Sequence, residues 1–453
     1  MLHKLKLSDI AKEVGGRLVG QDQLVSDVST DSREALEQKL FVALVGERFN
    51  GHQFAEQVMQ QGAVAVLVSE PVAIEPRIEV ADTTQAYAQI GRMMRRLFNR
   101  PVVAITGSNG KTSVKDWLAR VLSEHGQVLK TQSNLNNQIG VPKTLLNLSV
   151  ADQYAVIEAG TSFPGEIEKL GQTIEADVVV LTNASGSHLL GFGSIHGVAV
   201  EKGMLFETAK ADATVVLNAD DASYGYWLER VGNRAVRSFS FTDPMASLYA
   251  SDVQESVSGS TTTLQYQGQT YCLVLDRPGK HHIANAMAVA LAMTALGFAM
   301  IDVIAQLKHP EQVPGRMEVL ASKREAVVIN DCYNASPKSV EAAMDVLALY
   351  AQQTKWMVLG ALGELGDQEA AIHYGLGQYA AKLGLEHLIT IGPIAAEAAH
   401  GFTAIQTSGQ QAHPCQTKDD ALALLATLNS EHVILVKGSR SAKMEDIVNA
   451  LKN

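Results

Sequence analysis

Residues 101–126, PVVAITGSNGKTSVKDWLARVLSEHG, limit the possible folds of this chain more than any other stretch of its sequence. Residues 102–106 form a continuous apolar run, as buried strands do. After a short loop with two glycines, apolar residues recur at helical spacing until His125 and Gly126 end the pattern. This apolar stripe comprises Val114, Trp117, Leu118, Val121 and Leu122. A strand, a glycine-bearing loop and an amphipathic helix in direct succession predict an α/β fold.

The loop between this strand and this helix has the residue types that bind phosphate. Its two glycines permit a tight turn, which brings backbone N–H groups against phosphate oxygens at the positive end of the helix dipole. Lys111 adds a charge for the outer phosphates, and the Thr112 hydroxyl suits a phosphate-bound Mg²⁺. The usual form, G-x-x-x-x-G-K-[ST], would begin at Ile105, so the match is partial, and a turn without a ligand is the alternative. We predict a nucleoside-triphosphate site formed by Gly107, Ser108, Asn109, Gly110, Lys111 and Thr112.

Composition limits the class of protein. A chain of 453 residues predicts about three domains, and 46% hydrophobic with 19% charged residues is typical of globular proteins. The net charge of −11 argues against a nucleic-acid or anionic-membrane partner. Three widely spaced cysteines, no signal-peptide pattern and no apolar run of roughly 20 residues predict a cytoplasmic protein without a membrane span. We expect a monomer. A basic cluster at residues 92–100 reads as the solvated face of a helix.

The order of patterns predicts three α/β domains, at residues 1–81, 82–311 and 312–453. The first is small and mixed, and its Ser32 and Arg33 either hold a sugar or uracil edge or form only a capped turn. The second is a parallel sheet with strands at residues 102–106, 154–158, 178–182 and 214–218, followed by a hairpin insert at residues 251–269. The third alternates strands and helices, which predicts a doubly wound, Rossmann-like sheet.

Polar side chains just beyond the central strands are candidates for a site, because ligands bind at the carboxyl ends of parallel strands. Glu158 ends one strand and could bind Mg²⁺, although a structural salt bridge is the alternative. His188 could be a second ligand or only a satisfied polar residue, and Lys202 alone would pass for a surface lysine. An amide-rich loop at residues 133–137 is suited to sugar or peptide recognition. Asn285 either caps a helix or reads a base edge.

These features occur together with motifs along nearly the whole chain. The first domain has TDSR at 30–33, LFVAL at 40–44 and GH at 51–52. The second has TGSNGKT at 106–112, NLNN at 134–137, EAG at 158–160, GEI at 165–167 and His188 before GFGS at 191–194. The third has PGR at 314–316, NDCYNA at 330–335 and KGSR at 437–440. With these motifs in this order, the chain resembles the Mur ligase family of peptidoglycan synthesis. It departs from the usual family pattern at Ser336, Ala361 and residues 280–282, where asparagine, aspartate and Gly-His-Asn are usual.

The resemblance implies ATP and Mg²⁺ as cofactors, and it assigns roles to particular residues. The implied catalytic residues are Lys111, Glu158, His188 and Lys202. The implied metal ligands are Thr112, Glu158, His188 and a carbamylated Lys202, and the implied additional ATP contacts are Asn285, Arg316 and Asp331. The implied substrate contacts are Ser32, Arg33, Asn134, Asn136, Asn137, Asn334, Lys437, Ser439 and Arg440.

The form of the third-domain motif, NDCYNA rather than Asp-Asn-Pro-Arg, implies the partners of the reaction. They are UDP-N-acetylmuramoyl-tripeptide and D-alanyl-D-alanine, joined through an acyl phosphate with release of ADP and phosphate. Two alternatives stay open: another amino-acid ligase of the same group, and a nucleotide-gated binding protein without catalysis. In any ligase of this group, residues of the third domain must approach the phosphate loop. The three-domain layout therefore also predicts domain closure.

Overall fold

A computed structural model describes residues 2–186, 189–310 and 312–452. In this part of the chain the main sheets have five, nine and six strands, one sheet in each successive third of the sequence. Most of their neighbouring strands are parallel, and helices cover both faces of the larger two. The predicted α/β class with three units is therefore confirmed.

The first unit is a small mixed sheet with the strand order β2-β9-β8-β5-β4. Its strands and those beside it are β1 (Leu5–Lys6), β2 (Arg17–Val19), β3 (Leu24–Val25), β4 (Asp27–Ser29), β5 (Lys39–Val42), β6 (Val45–Gly46), β7 (Phe49–Asn50), β8 (Ala65–Val68) and β9 (Arg77–Glu79). Its helices are α1 (Leu7–Glu13), a 3-10 turn at Gly51–Phe54, α2 (Ala55–Gln60) and α3 (Thr83–Phe98). The sequence predicts Ser8 as the N-cap of α1, which is wrong, because Lys6 is the N-cap and the Ser8 hydroxyl donates to Asp22.

Helix α3 connects the first unit to the second. Asp82 caps its start, accepting hydrogen bonds from the backbone of residues 84 and 85, and Asn99 ends it in a left-handed conformation. The sequence predicts that its basic residues form a solvated face. This is only partly right, because Arg95 is buried and pairs with Asp177 at 2.7 Å. Two neighbouring arginines also pair with Glu175, so this cluster fastens the helix to the central domain.

The second unit is the central sheet, with the strand order β11-β12-β10-β13-β14-β15-β16-β17-β18. Its strands are β10 (Val102–Thr106), β11 (Gln127–Lys130), β12 (Asp152–Glu158), β13 (Val178–Leu181), β14 (Thr214–Asn218), β15 (Ala235–Ser240), β16 (Leu248–Ser256), β17 (Gly259–Tyr266) and β18 (Gln269–Leu275). Its helices are α4 (Lys111–Ser123), α5 (Gly140–Leu146), α6 (Glu166–Ile174), α7 (Leu189–Phe192), α8 (Ile195–Glu207), α9 (Tyr224–Arg230), α10 (Lys280–Ala295) and α11 (Met300–Gln306). The insert predicted as a hairpin is larger, since β16, β17 and β18 form an antiparallel extension of the sheet.

The central strand β10 is buried on both faces, which explains its continuous apolar run. Val103 and Ile105 pack against α4 and α10 on one face. Val102 and Ala104 pack against the helices of the other face. Because successive side chains of a strand alternate, every residue of β10 must be apolar or satisfied. Its last residue, Thr106, is satisfied by donating from its hydroxyl to the carbonyl of Ala159.

The third unit has the strand order β19-β20-β24-β21-β22-β23. Its strands are β19 (Glu318–Ala321), β20 (Val327–Asp331), β21 (Thr354–Gly360), β22 (His387–Ile391), β23 (Gln411–Cys415) and β24 (His432–Lys437). Its helices are α12 (Pro337–Ala348), α13 (Glu369–Lys382), α14 (Ala396–Ile405), α15 (Lys418–Leu425) and α16 (Glu445–Leu451), with 3-10 turns at Gly366–Gln368 and Arg440–Ala442. The edge strand β19 is antiparallel, so the sheet is parallel only from β20 onward. No helix in the described ranges has both the length and the apolar character needed to cross a bilayer.

Candidate functional site

The carboxyl end of β10 is the point of the central sheet at which the strand order reverses. β10 lies between β12 and β13, so the chain leaves it on one side and later returns on the other. The phosphate loop follows β10, Glu158 is the last residue of β12, and Asn183 lies just beyond β13. Ligands of open α/β sheets bind in the crevice at such a point. The sheet therefore brings the predicted central-domain residues to one edge.

Two glycines give the phosphate loop its shape. Gly107 has φ 149° and Gly110 has φ 83°, conformations that favour glycine. A Cβ on Gly107 would lie 1.9 Å from the Thr182 hydroxyl oxygen, and one on Gly110 would lie 2.5 Å from Asn285 Oδ1. The buried Asn285, predicted to contact ATP, thus packs directly against the loop from α10. Both glycines are required for the backbone to approach its neighbours this closely.

Replacing Gly110 by alanine is expected to lower kcat/KM for ATP about 10²-fold, because the loop must shift away from Asn285 and misplace its N–H groups. Steady-state kinetics with varied ATP measures this. Gly165→Ala is the matched control: Gly165 also begins a helix, has φ 82°, and has open space where its Cβ would be. It carries the backbone strain of about 1 kcal/mol without the clash, and so should lower only the melting temperature. Equal kinetic losses in both variants would contradict the proposed packing role.

Residues beyond β13 hold the phosphate loop in place. The backbone N–H groups of Ser108 and Asn109 donate to the backbone and side-chain oxygens of Asn183, at 2.9 and 3.0 Å. The Thr182 hydroxyl donates to the carbonyl of Asn109 at 2.6 Å. Asp221 supports this segment by accepting from the N–H of residue 184, and burial raises its carboxyl pKa. The loop is thus preorganised by the protein alone.

Lys111 lies in the crevice with its ammonium turned toward the loop. It donates to the carbonyls of Gly107 and Ser108, at 2.7 and 3.2 Å. Burial lowers its pKa, while the nearby Glu158 carboxylate opposes that shift and Arg316 adds to it. A cation at the start of α4, where the helix dipole is positive, is suited to bind phosphate oxygens.

Glu158 has the environment of a metal ligand. It is 2% exposed, and its Oε1 accepts from the Asn136 side-chain amide at 2.9 Å. Its backbone N–H donates to the Thr131 hydroxyl at 3.0 Å, which fixes the end of β12. Its other carboxylate oxygen, Oε2, is buried and has no hydrogen-bond partner among the described residues. An orphaned buried carboxylate oxygen is costly, so a cation such as Mg²⁺ is the group that this atom fits.

Lys202 is not the surface lysine that composition alone would suggest. It lies on α8, is 1% exposed, and has no hydrogen-bonding or ionic partner within the described ranges. Burial lowers its pKa well below the usual value, and the Lys111 charge lowers it further. The adjacent Glu201 is engaged elsewhere, accepting from the N–H groups of residues 165 and 167. His188, the predicted companion of Lys202, lies outside the described residues.

The third domain reaches the phosphate loop directly. Arg316 donates from Nη2 to the Thr112 hydroxyl at 3.0 Å, and its guanidinium lies 4.4 Å from the centre of the Tyr333 ring. Asp331 forms a buried ion pair with Lys437 at 2.5 Å and accepts from the N–H of Met317. That bond and the ion pair fix the turn that carries Arg316. The third domain therefore contacts the phosphate loop in this structure, while domain closure during the reaction stays a prediction.

Replacing Lys437 by methionine is expected to destabilise the protein by about 3–5 kcal/mol, because it leaves the Asp331 carboxylate buried without its cation. Chemical denaturation followed by circular dichroism measures the change. The control is Lys338→Met, which breaks an exposed pair with Glu341 on α12. That change should stay within about 0.5 kcal/mol. Similar effects of the two substitutions would contradict a structural role for the buried pair.

The predicted substrate contacts lie in several places. Asn136 is beside Glu158, whereas Asn134 is exposed and Asn137 accepts from the N–H groups of residues 139 and 140 at the start of α5. Ser439 donates to the carbonyl of residue 361, and Arg440 pairs with residue 445. The others are placed as follows: Lys437 donates to the carbonyl of Asn334, Ser32 is half-buried, and the Arg33 side chain is 87% exposed and pairs with Asp31. The bidentate Arg33 guanidinium holds the pKa of the Asp31 carboxyl well below its usual range. Their roles in substrate binding stay predictions.

Sequence reasoning missed two residues that support the site. Lys115, on the buried side of α4, donates to the Thr131 carbonyl at 3.0 Å, and the Thr131 hydroxyl accepts from the N–H of Glu158. Lys115 is 2% exposed, so its ammonium links the phosphate-loop helix to the strand end that carries the carboxylate. The signal in the sequence is a lysine within the otherwise apolar stripe of α4, four residues after Lys111.

The fold and this crevice define a phosphate-loop α/β protein that binds a nucleotide and has a third domain closing over it. Family models match the chain at residues 24–107 (Mur ligase family, catalytic domain), 105–293 (Mur ligase middle domain) and 315–440 (Mur ligase, glutamate ligase domain). The chain belongs to the Mur ligase family, whose members are ATP-dependent amino-acid ligases.

Similarity to individual proteins supports the assignment to this family. The UDP-N-acetylmuramoyl-tripeptide–D-alanyl-D-alanine ligase of Escherichia coli is 36% identical over 447 residues, covering 98% of both chains. The ligase of the same name from Bacillus subtilis is 32% identical and covers 99% of this chain and 98% of its own. A crystal structure of MurF from Acinetobacter baumannii matches with a TM-score of 0.91 and 30% identity, over 99% of this chain and 98% of that one. The three-domain arrangement is thus that of known MurF structures.

Proposed function

We propose that this protein joins D-alanyl-D-alanine to UDP-N-acetylmuramoyl-tripeptide with ATP, in the synthesis of peptidoglycan. The relatives from Escherichia coli and Bacillus subtilis, which are named as ligases of these two substrates and match over nearly their full length, support the proposal. The structural observation that carries it is that Lys111, Glu158 and the buried Lys202 lie near one another at one edge of the central sheet. One oxygen of Glu158 has no hydrogen-bond partner among the described residues. The contact of Arg316 with Thr112, which brings the third domain to this edge, also supports the proposal.

The reaction requires activation because a carboxylate is a poor electrophile. Transfer of the γ-phosphoryl group of ATP to the terminal carboxylate of the tripeptide forms an acyl phosphate and ADP. The amine of D-alanyl-D-alanine then attacks the acyl carbon, the new C–N bond forms, and phosphate leaves. Lys111, at the positive end of the α4 dipole, is positioned to offset charge on the transferred group. Arg316 approaches the same region from the third domain.

Mg²⁺ fits the donor set at this edge. The residues that would hold it are Thr112, through its hydroxyl, and Glu158, through the oxygen that lacks a partner. When bound, the ion would neutralise part of the phosphate charge and orient the triphosphate. The Thr112 hydroxyl now accepts a hydrogen bond from Arg316, so we expect this contact to rearrange when the metal and the nucleotide bind.

We further propose that Lys202 is carbamylated and supplies a second carboxylate-like ligand together with His188. Its burial, without a hydrogen-bonding or ionic partner among the described residues, supports this role. An unmodified ammonium there would be both desolvated and close to Lys111. A carbamate replaces that charge with an anionic pair of oxygens, which is the ligand type that Mg²⁺ prefers. We also propose that the protein acts as a monomer in the cytoplasm.

The deciding experiment measures ADP release from ATP and Mg²⁺ with UDP-N-acetylmuramoyl-tripeptide, with and without D-alanyl-D-alanine. We expect release to require both substrates and the product mass to equal that of the joined pentapeptide. Single D- or L-amino acids in place of the dipeptide test for another amino-acid ligase of the family. Absence of ATP consumption with both substrates present would overturn the proposal. ATP binding without turnover would instead favour a nucleotide-gated binding protein.

A further inference from the structure

The side chain of Asn109, in the phosphate loop, contacts two different domains. Its Nδ2 donates to the Ser185 hydroxyl at 3.0 Å, within the central domain. Its Oδ1 accepts from the Ser336 hydroxyl at 2.8 Å, from the third domain. The backbone N–H and carbonyl of Asn109 are already bonded to residues 182 and 183. Asn109 is therefore a rigid part of the central domain, and Ser336 docks onto it.

Ser336 also begins α12, the helix that leads away from this contact. Its hydroxyl accepts from the N–H of Ser339, while the Ser339 hydroxyl accepts from the N–H of Ser336 at 2.9 Å, which forms a capping box. A serine hydroxyl has one hydrogen to donate and lone pairs to accept. The donated hydrogen goes to Asn109 and the accepted bond caps the helix. Because Ser336 is 7% exposed, little water can replace Asn109 as its acceptor.

Few described hydrogen bonds cross this domain boundary near the phosphates. Besides the Ser336 contact, Arg316 donates to Thr112, and the N–H of Leu190 donates to the Glu364 carbonyl at 3.1 Å. Arg316 is expected to exchange Thr112 for the nucleotide when the site fills. The bond from Ser336 to Asn109 involves neither a phosphate-binding N–H group nor an expected metal ligand, so it can persist through that exchange.

We infer that Ser336 is a positioning residue that holds the third domain closed over the phosphate loop through Asn109. The inference deepens the proposed ligase function and, as a statement about catalysis, depends on it. A single neutral hydrogen bond is weak enough for the domain to reopen and release ADP, yet strong enough to bias the equilibrium toward closure. Ser336 thus acts on nucleotide binding through another residue and does not itself touch the reacting atoms.

The test compares Ser336→Gly with Ser339→Ala. Glycine keeps most of the helix-capping ability of serine, so Ser336→Gly removes mainly the donor to Asn109. We expect the KM for ATP to rise about two- to tenfold, with a smaller change in kcat. Ser339→Ala weakens the capping box but leaves the Ser336 hydroxyl in place, so its KM should match the wild type. Ser336→Thr, which retains the hydroxyl, should also behave as the wild type.

A double-mutant cycle identifies the partner. In an Asn109→Ala background, Ser336→Gly should produce no further rise in KM, because its acceptor is already absent. Small-angle X-ray scattering of the nucleotide-free protein should show a larger radius of gyration for Ser336→Gly than for the wild type or Ser339→Ala. This second readout needs no turnover, so it still tests Ser336 if the wild type proves inactive in the ligation assay.

The inference is overturned by an unchanged KM together with unchanged scattering in Ser336→Gly. An equal shift in Ser339→Ala would also overturn it, since the effect would then belong to the start of α12. Additive effects of the Asn109 and Ser336 substitutions would show that the two residues act independently, which is equally incompatible with the inferred contact.

Discussion

Replacement of Lys202 by alanine is expected to abolish ligation, with a loss of at least about 10³-fold in kcat. The variant lacks the amine that, as a carbamate, would bind the metal beside the triphosphate. A small carboxylate such as formate, added to the assay, is expected to restore part of the activity, because it can occupy the space of the carbamate. The measurement is ADP release at increasing carboxylate concentration.

The direction of the Lys202 pKa supports this expectation. Burial and the Lys111 charge lower the pKa, and a neutral amine is the form that adds carbon dioxide, losing a proton as the N–C bond forms. Carbon-13 nuclear magnetic resonance with labelled bicarbonate should show a carbamate signal in the wild type and none in Lys202→Ala. The matched control is Lys169→Ala, on the exposed surface of α6, which should keep full activity. Normal turnover by a folded Lys202→Ala protein would contradict the proposal that Lys202 is carbamylated.

Replacement of Glu158 by glutamine is expected to lower kcat about 10²–10³-fold and to raise the Mg²⁺ concentration needed for half-maximal activity. Glutamine keeps the size of the side chain and can still accept the hydrogen bond from Asn136. It replaces the carboxylate oxygen that lacks a partner by an amide NH₂, which cannot bind a cation. The measurement is initial rate against free Mg²⁺ at saturating substrates.

The control for this substitution is Glu168→Gln, an exposed carboxylate on α6 that accepts only from the Gln172 side chain among the described contacts. Its kinetics and its Mg²⁺ dependence should match the wild type. If Glu158→Gln showed the same Mg²⁺ dependence as the wild type and lost only thermal stability, Glu158 would be a structural residue. The salt-bridge alternative raised by the sequence has no support in the described contacts, since Asn136 is a neutral partner.

Much of the fold could be predicted because it depends on short-range patterns. The strand and helix around the phosphate loop, observed as β10 and α4, follow from apolar runs and helical spacing within a window of about 20 residues. The strands at residues 102–106 and 214–218 have the predicted bounds. The two edge strands of the third sheet, β19 and β23, lack a clear pattern, because edge strands bury only part of one face. Each is placed by pairing with a neighbouring strand, β19 with β20 and β23 with β22.

Some residues of the candidate site could likewise be predicted from local sequence, and others could not. Glu158 was predicted from its position after a buried strand, and the orphaned oxygen supports that reading. The ordinary sequence context of Lys202 gave no sign of burial; only the family resemblance singled it out. Lys115 could be noticed as a lysine in an apolar stripe, but its acceptor on Thr131 could not be identified without the packing of α4 against the end of β11.

By itself, the sequence determined the phosphate loop, the α/β class, the order of the three units and the family. It could do so because glycine, lysine and apolar spacing act locally, on the backbone of their own segment. Only the tertiary structure decided which residues meet across the domain boundary. Arg316 and Thr112 are 204 positions apart, and Ser336 and Asn109 are 227 apart. Contacts at such separations depend on how whole domains pack, since hydrogen bonds reach only about 3 Å and no local pattern encodes that approach.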